Sequence, residues 1–342
     1  MKHHVVLQHL ADYQPDHVEE NLRLLLAPLG GIEAYVKPGQ KVLIKPNLLA
    51  GKSPDKAVTT HPEILRATIR LVQQAGGVVS VGDSPGIGSP EQVAQRCGIF
   101  SVVEETGVTF APFQESQRVK SPTATFHDLE IARDVLDAEV IINLPKLKTH
   151  QMMGLTCAVK NLYGAVIGMR KARLHLQAGT DKAFFATMLL DLAEFIRPSL
   201  TIVDAVVGME GDGPGSGDPV QIGVLLAGEN LLAIDAVALS LVGMNPELCW
   251  TQKVAASKNL PGARLAEVEI LGDNLDDLRL GSFRPAKVTD VNFGLKPLVK
   301  RFLKRHISAY PVVRHDTCRL CGLCVKHCPP TAMSIIDSRL KI

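Results

Sequence analysis

Apolar runs of strand length alternate with helix-length segments from residue 4 to residue 271, and this alternation most limits the fold. Residues 4–8 read as a first strand. Val18, Leu22, Leu25 and Leu26 then recur at helical spacing, and Gly30-Gly31 ends that helix. Residues 41–45 form an apolar strand stopped by Pro46. Residues 62–74 form a helix with Pro62 in its first turn, one face made by Ile64, Leu65, Thr68, Ile69 and Val72, and Gly76-Gly77 as its stop. Residues 78–81 are the next strand, and a helix begins at Pro90. The middle repeats the rhythm, with strands at 140–144, 200–203 and 221–227, helices at 184–196 and 231–242, and a closing strand at 268–271. Strand and helix in this order predict an α/β fold, a largely parallel sheet with flanking helices.

The chain has 342 residues, 46% hydrophobic and only 4% aromatic, so its core must be built from aliphatic side chains and alanine. The predicted division is an α/β ligand-binding domain at 1–283, a basic connector at 284–313 and a small C-terminal segment at 314–342. In the connector Leu295, Leu298, Val299, Phe302 and Leu303 fall on one helical side among five basic residues, as in a solvated helix packed on a domain. The longest apolar stretch, 222–243, is interrupted by Glu229, Asn230 and Asp235, so no membrane span is expected. Met1-Lys-His-His is not followed by the apolar run of a secretory signal. Cys97, Cys157 and Cys249 are scattered, suit a reducing compartment and read as small buried hydrophobes. A cytoplasmic protein is the expectation.

The other four cysteines, Cys318, Cys321, Cys324 and Cys328, lie within eleven residues, and Pro329 follows the last. Gaps of two, two and three residues let closely spaced thiolates wrap the corners of one cubane, whereas a zinc site more often shows two separated pairs. The run resembles ferredoxin-type domains, which implies a [4Fe–4S] cluster. In two-cluster ferredoxins the fourth cysteine of such a run ligates the other cluster. The segment therefore reads as one half of a two-cluster module, with a second run expected beyond residue 342. The alternative is a one-cluster variant completed by Cys328 or a remote cysteine. Residues 334–342 read as a strand, a turn and the start of a second strand. From Lys287 onward there are 11 Lys or Arg against 3 Asp or Glu, net +8, which leaves the remainder with 26 against 32, net −6. A basic tail suits a negative cluster and an acidic redox partner protein; nucleic acid is the less favoured partner.

In open parallel sheets ligands bind at the carboxyl ends of strands. Four segments leave such ends carrying polar groups, and all four are read as loops: Lys45-Pro-Asn47, Gly82-Asp83-Ser84-Pro85-Gly86, Lys146-Leu-Lys148-Thr-His150, and 204–218. The second formally matches the G-x-S-x-G turn of hydrolases. There the residue after serine must donate its backbone N–H to an oxyanion; here it is Pro85, which has none, so a hydrolase is excluded. Lys146, Lys148 and His150 follow a buried strand, and Lys160, Asn161 and His175 come after. Buried lysines are costly without an anion, so the cluster points to an anionic small-molecule ligand, a phosphate or carboxylate. Lys45, Asp83, Lys146, Lys148, His150 and Lys160 are expected to converge on one pocket.

The motifs around Lys45-Pro-Asn47, Thr59-Thr-His-Pro62, Gly82–Gly86, Asn143-Leu-Pro-Lys146 and Lys160-Asn161-Leu-Tyr-Gly164 resemble domain-of-unknown-function family 362, whose members often carry paired [4Fe–4S] motifs. That resemblance implies a cluster and no activity. The order His150, Lys160, His175 is similar to the nickel-pincer lactate racemase family, in which a lysine between two histidines holds the cofactor; the glycine-rich sequence of that family is missing. The resulting expectation is an iron–sulfur protein, an oxidoreductase class candidate, that moves electrons to or from an anionic ligand. Lys146, Lys148, His150 and Lys160 would act on that ligand, and Lys45, Asn47, Asp83, Ser84, Asn161 and His175 would bind it. The alternatives are a racemase-like enzyme with a structural cluster and a non-catalytic electron carrier.

Overall fold

In the computed structural model the described residues are 2–121, 125, 126, 128–178, 181–287, 312–326 and 333–341. The chain divides into two units, Met1–Gly294 and Leu295–Ile342. The expected connector helix lies almost wholly outside the described residues.

The strands of the large unit are β1 (His3–His9), β2 (Lys41–Pro46), β3 (Val78–Val81), β4 (Thr109–Phe110), β5 (Ser116–Lys120), β6 (Asp128–Ala132), β7 (Val140–Leu144), β8 (Lys146–His150), β9 (Gly154–Thr156), β10 (Leu200–Glu210), β11 (Asp218–Gly228) and β12 (Val268–Gly272). The main sheet runs β12-β1-β11-β10-β7-β2-β3-β4, with β8 on β10 and β9 on β8. Neighbours from β10 through β4 are parallel, as are β1 and β12; β1/β11, β10/β11 and β8/β9 are antiparallel. The sheet is mixed, mostly parallel and flanked by helices, an α/β fold as expected.

The inner strands are apolar on both faces because both are covered. Val42 and Ile44 point into a core shared with helices Pro15–Leu26 and Pro62–Gln74, while Leu43 points into the opposite core with helix Lys182–Ile196. A third cluster packs Val203, Ala205, Val224 and Leu226 under helix Leu231–Leu241. The helices start where side chains can accept their first free N–H groups: Asp181 caps Phe184 and Asn230 caps Ala233, each at 2.9 Å.

Two segments differ from their sequence reading. Residues 146–150 are a strand, not a loop. Pro145 interrupts β7 without turning the chain away, and β10 is long enough to pair first with β7 and then with β8 (Asp204 opposite Lys146). The 204–218 region is likewise mostly strand, leaving only residues 211–217 as the glycine-rich turn. That turn covers β8: Thr149 Oγ1 donates to Gly211 O at 2.9 Å, and a Cβ on Gly213 would stand 2.3 Å from Thr149 O. The lysines of β8 are therefore enclosed by their own sheet.

In the small unit, β13 (Ser334–Ile336) and β14 (Arg339–Lys341) form a hairpin, matching the expected strand, turn and strand. Asp337 and Ser338 take φ of 50° and 57°, the left-handed pair that a two-residue hairpin turn uses.

Candidate functional site

Register sets the floor of the site. Lys45 of β2 lies opposite Asn143 of β7, and Asn143 opposite Thr201 of β10, so three polar residues stand abreast, near the carboxyl ends of β2 and β7 and the start of the long β10. Lys148 is fully buried and its ammonium donates to Asn47 Oδ1 (2.7 Å) and Val58 O (2.6 Å). An ammonium group only donates, so it fixes every amide behind it. Asn47 Nδ2 donates to Asn161 Oδ1 (2.8 Å), Asn161 Nδ2 to Asn143 Oδ1 (2.8 Å), and Asn143 Nδ2 to Ala158 O (3.1 Å). The row of amide dipoles turns oxygen toward Lys148. Both direct acceptors are neutral, and burial pushes Lys148 well below the ordinary lysine range.

Lys45 is buried beside Asp83 at 2.7 Å and also donates to Asn161 O (2.7 Å). Asp83 Oδ2 accepts from Leu48 N at 2.8 Å. Gly164 passes directly against this pair: a Cβ there would stand 1.7 Å from Asp83 Oδ1 and 2.6 Å from Lys45 Nζ. Ser84 is held by its neighbours as well, its N–H donating to Gly164 O (3.2 Å) and its Oγ accepting from Gly168 N (3.3 Å).

Lys146, at the other end of β8, donates to Asp204 Oδ2 (2.9 Å) and to the Tyr13 hydroxyl (2.8 Å). Tyr13 donates to Asp204 Oδ1 (2.8 Å), and the backbone N–H of His61 donates to Oδ2 (2.8 Å). The Tyr13 and His61 rings stack with centroids 3.5 Å apart. Burial, with the Asp204 charge second, raises the Tyr13 hydroxyl far above its ordinary range, and burial lowers His61 to about 4.

Beyond Lys148 lie Lys160, Lys171, His150 and His175. Lys160 Nζ sits 4.8 Å from the centroid of the Tyr163 ring. Burial and then Lys45 lower it to about 8. Lys171 donates to the backbone oxygens of Ser84 and Pro85, the latter at 3.1 Å, and burial lowers it to about 7. His150 Nδ1 accepts from Met152 N and Met153 N, each at 3.2 Å, so its proton resides on Nε2. His175 stacks on Phe185 with centroids 4.3 Å apart. Burial keeps both imidazoles neutral, and the Lys160 charge adds to the effect on each, His175 being lowered to about 3. Under the same strands Asp235 accepts from Ala158 N (2.7 Å) and Val159 N (3.3 Å), and burial raises its carboxyl to about 7 despite those bonds.

The expected convergence thus takes the form of one interior row, not an open pocket. Lys45, Asn47, Asp83, Lys148 and Asn161 share a network; Lys146 lies at one end, near enough for its charge to act on Lys148, and His150, Lys160 and His175 at the other. The argument that every buried lysine calls for a foreign anion is corrected: Lys45 and Lys146 meet the chain's own carboxylates. Among the described residues Lys148, Lys160 and Lys171 have no carboxylate partner. Sequence reasoning missed Tyr13, which stands 133 residues before Lys146 with no motif around it, and gave Lys171 and Tyr163 no role.

In the small unit Cys318, Cys321 and Cys324 line one cavity of about 280 Å³ with Leu320, Ile335 and Leu340. Leu320 and Gly322 take positive φ, 51° and 75°, as the chain curls between the thiols. The three thiols share this cavity, but among the described residues no group of three His, Cys, Asp or Glu side chains is placed to hold a metal ion. Cys328 lies outside the described residues. Cys97, Cys157 and Cys249 are buried as expected.

The fold and its interior define an α/β protein with a largely buried row of lysines at the carboxyl edge of a mixed sheet. The chain belongs to the family described as a domain of unknown function (DUF362), which matches residues 42–240. It is 36% identical over 308 residues to a thylakoid-associated protein of Synechocystis sp., covering 87% of this chain and 95% of that one. Among solved structures it is similar to the lactate racemase apoprotein of Thermoanaerobacterium thermosaccharolyticum (12% identity, TM-score 0.42, 66% of this chain and 54% of that one). It is also similar to a Thermotoga maritima protein (14% identity, TM-score 0.37, 61% and 54%). The matched part spans about half of each of those two structures. No described helix is long and apolar enough to cross a membrane.

Proposed function

We propose that the protein is an iron–sulfur protein whose α/β unit binds a small anion, phosphate- or carboxylate-bearing, at Lys148, Lys160 and Lys171. The observation that carries the reading is the charge imbalance of the lysine row. Two of its cations are matched by Asp83 and Asp204, and three are held by neutral oxygens or an aromatic face. In the low dielectric of an interior such cations repel one another, and an anion relieves that repulsion. Cys318, Cys321 and Cys324, with Cys328, would hold the cluster, which supplies single-electron transfer when bound. The domain division at 283 and 313 and a cytoplasmic setting, where thiols stay reduced, are part of the proposal.

Protein purified anaerobically is expected to carry iron and acid-labile sulfide, and Cys321→Ser to lose most of both. Stoichiometric zinc without sulfide would defeat the cluster assignment.

Sulfate tests the anion site, since its charge is constant across the range of interest. Lys160 and Lys171 titrate at about 8 and 7 in the free protein, and a bound anion raises both. Binding therefore takes up protons. Affinity is full below those values and falls as pH rises through them, by up to about tenfold per unit for each lysine. Calorimetry from pH 6 to 9 should show this fall, with Lys148→Ala binding at least about tenfold more weakly. Affinity independent of pH and of Lys148 would sink the anion site.

A further inference from the structure

Resting on that anion site, we infer that Lys160 is a covalent-capture residue: its amine condenses with the carbonyl carbon of an anionic aldehyde or ketone, a keto acid or carbonyl phosphate, to form an imine. Lys45, Lys146 and Lys148 are fully buried, and each ammonium already makes two contacts of 2.9 Å or less that hold it as a charged donor for an anion. Lys171 is held in place by the carbonyls of Ser84 and Pro85. Lys160 is different on three counts. It is part-buried, whereas Lys45, Lys146 and Lys148 are fully buried. Its amine faces the Tyr163 ring, with no hydrogen bond or ion pair to any described residue. It is also surrounded by like charge and neutral imidazoles, an environment that favours the uncharged, nucleophilic amine.

The step balances without an oxidant or reductant. The Lys160 lone pair forms a C–N bond as the carbonyl π pair moves to oxygen, which takes a proton. The resulting carbinolamine expels that oxygen as water, with one proton drawn from nitrogen, and leaves C=N. His150 suits the role of donor to the carbonyl oxygen, because its Nδ1 is occupied by two backbone N–H groups and its proton lies on Nε2. The ligand's anionic group answers the unmatched lysines, and this selects acidic carbonyl compounds over neutral ones.

The test uses the full chain with pyruvate or dihydroxyacetone phosphate and cyanoborohydride, followed by peptide mass mapping. At neutral pH Lys160 holds about two orders of magnitude more free amine than an ordinary lysine, so it should be labelled at least about tenfold faster than exposed Lys52. Neutral acetone should show no such preference, and sulfate should protect. Lys160→Arg, which keeps the charge, should abolish the selective adduct while the fold, followed by circular dichroism, persists. Labelling of Lys160 no faster than Lys52, with sulfate bound normally, overturns covalent capture and leaves the anion site standing. Selective labelling that sulfate does not protect supports capture and overturns the anion site.

Discussion

Asp204→Ala should lower folding stability by about 3–5 kcal/mol, the usual cost of stranding one partner of a buried ion pair. Asp204 is fully buried and accepts from Lys146, Tyr13 and the backbone N–H of His61, all within 2.9 Å. Without the carboxylate, three donors from three separate parts of the chain lose their acceptor, and the Lys146 ammonium keeps an uncompensated charge. Denaturant unfolding measures the loss. Replacing both partners, Asp204→Leu with Lys146→Met, should recover much of it, because an apolar pair avoids the desolvation that the ion pair must offset. A single variant within 1 kcal/mol of wild type (roughly the scatter of surface substitutions) would show that Lys146 is not charged in the folded protein.

Gly164→Ala should be comparably damaging, about 3–5 kcal/mol, although it adds one methyl group. Its Cβ would stand 1.7 Å from Asp83 Oδ1, so either the carboxylate leaves Lys45 or the Leu162–Ala165 turn moves. Both outcomes break the Lys45–Asp83 pair, and the second also withdraws the Gly164 oxygen from Ser84 N. Adding Asp83→Gly to Gly164→Ala should remove the collision but not restore the pair, so the double variant should stay destabilised. Thermal melts of the three proteins decide this. A Gly164→Ala protein that melts with wild type would mean the turn has room that the geometry denies it.

Local spacing made the fold class legible. The strands at 140–144 and 78–81 and the helix at 62–74 follow from apolar periodicity and from Pro and Gly at their ends, all carried within a few residues. It also marked Lys45, Asp83 and Lys148, because polar groups that follow apolar parallel strands converge wherever the sheet forms, and Asn161, on the short helix Ala158–Asn161, through the motif that carries it. Residues 146–150 were misread as a loop because a proline after an apolar strand ordinarily ends it. Only pairing with the long β10, 58 residues away at Asp204 and Lys146, decides otherwise. The cysteine spacing, too, is local and readable before any folding. Which lysines are neutralised was not. Asp83 and Asp204 reach Lys45 and Lys146 through strand order and register, and Tyr13 arrives from the first loop of the chain. The sequence determined that cations would gather at one sheet edge, since residue type and strand ends are written into it. Tertiary structure alone decided which of them have partners, because burial and counter-charge are properties of neighbours that the chain brings together only when it closes.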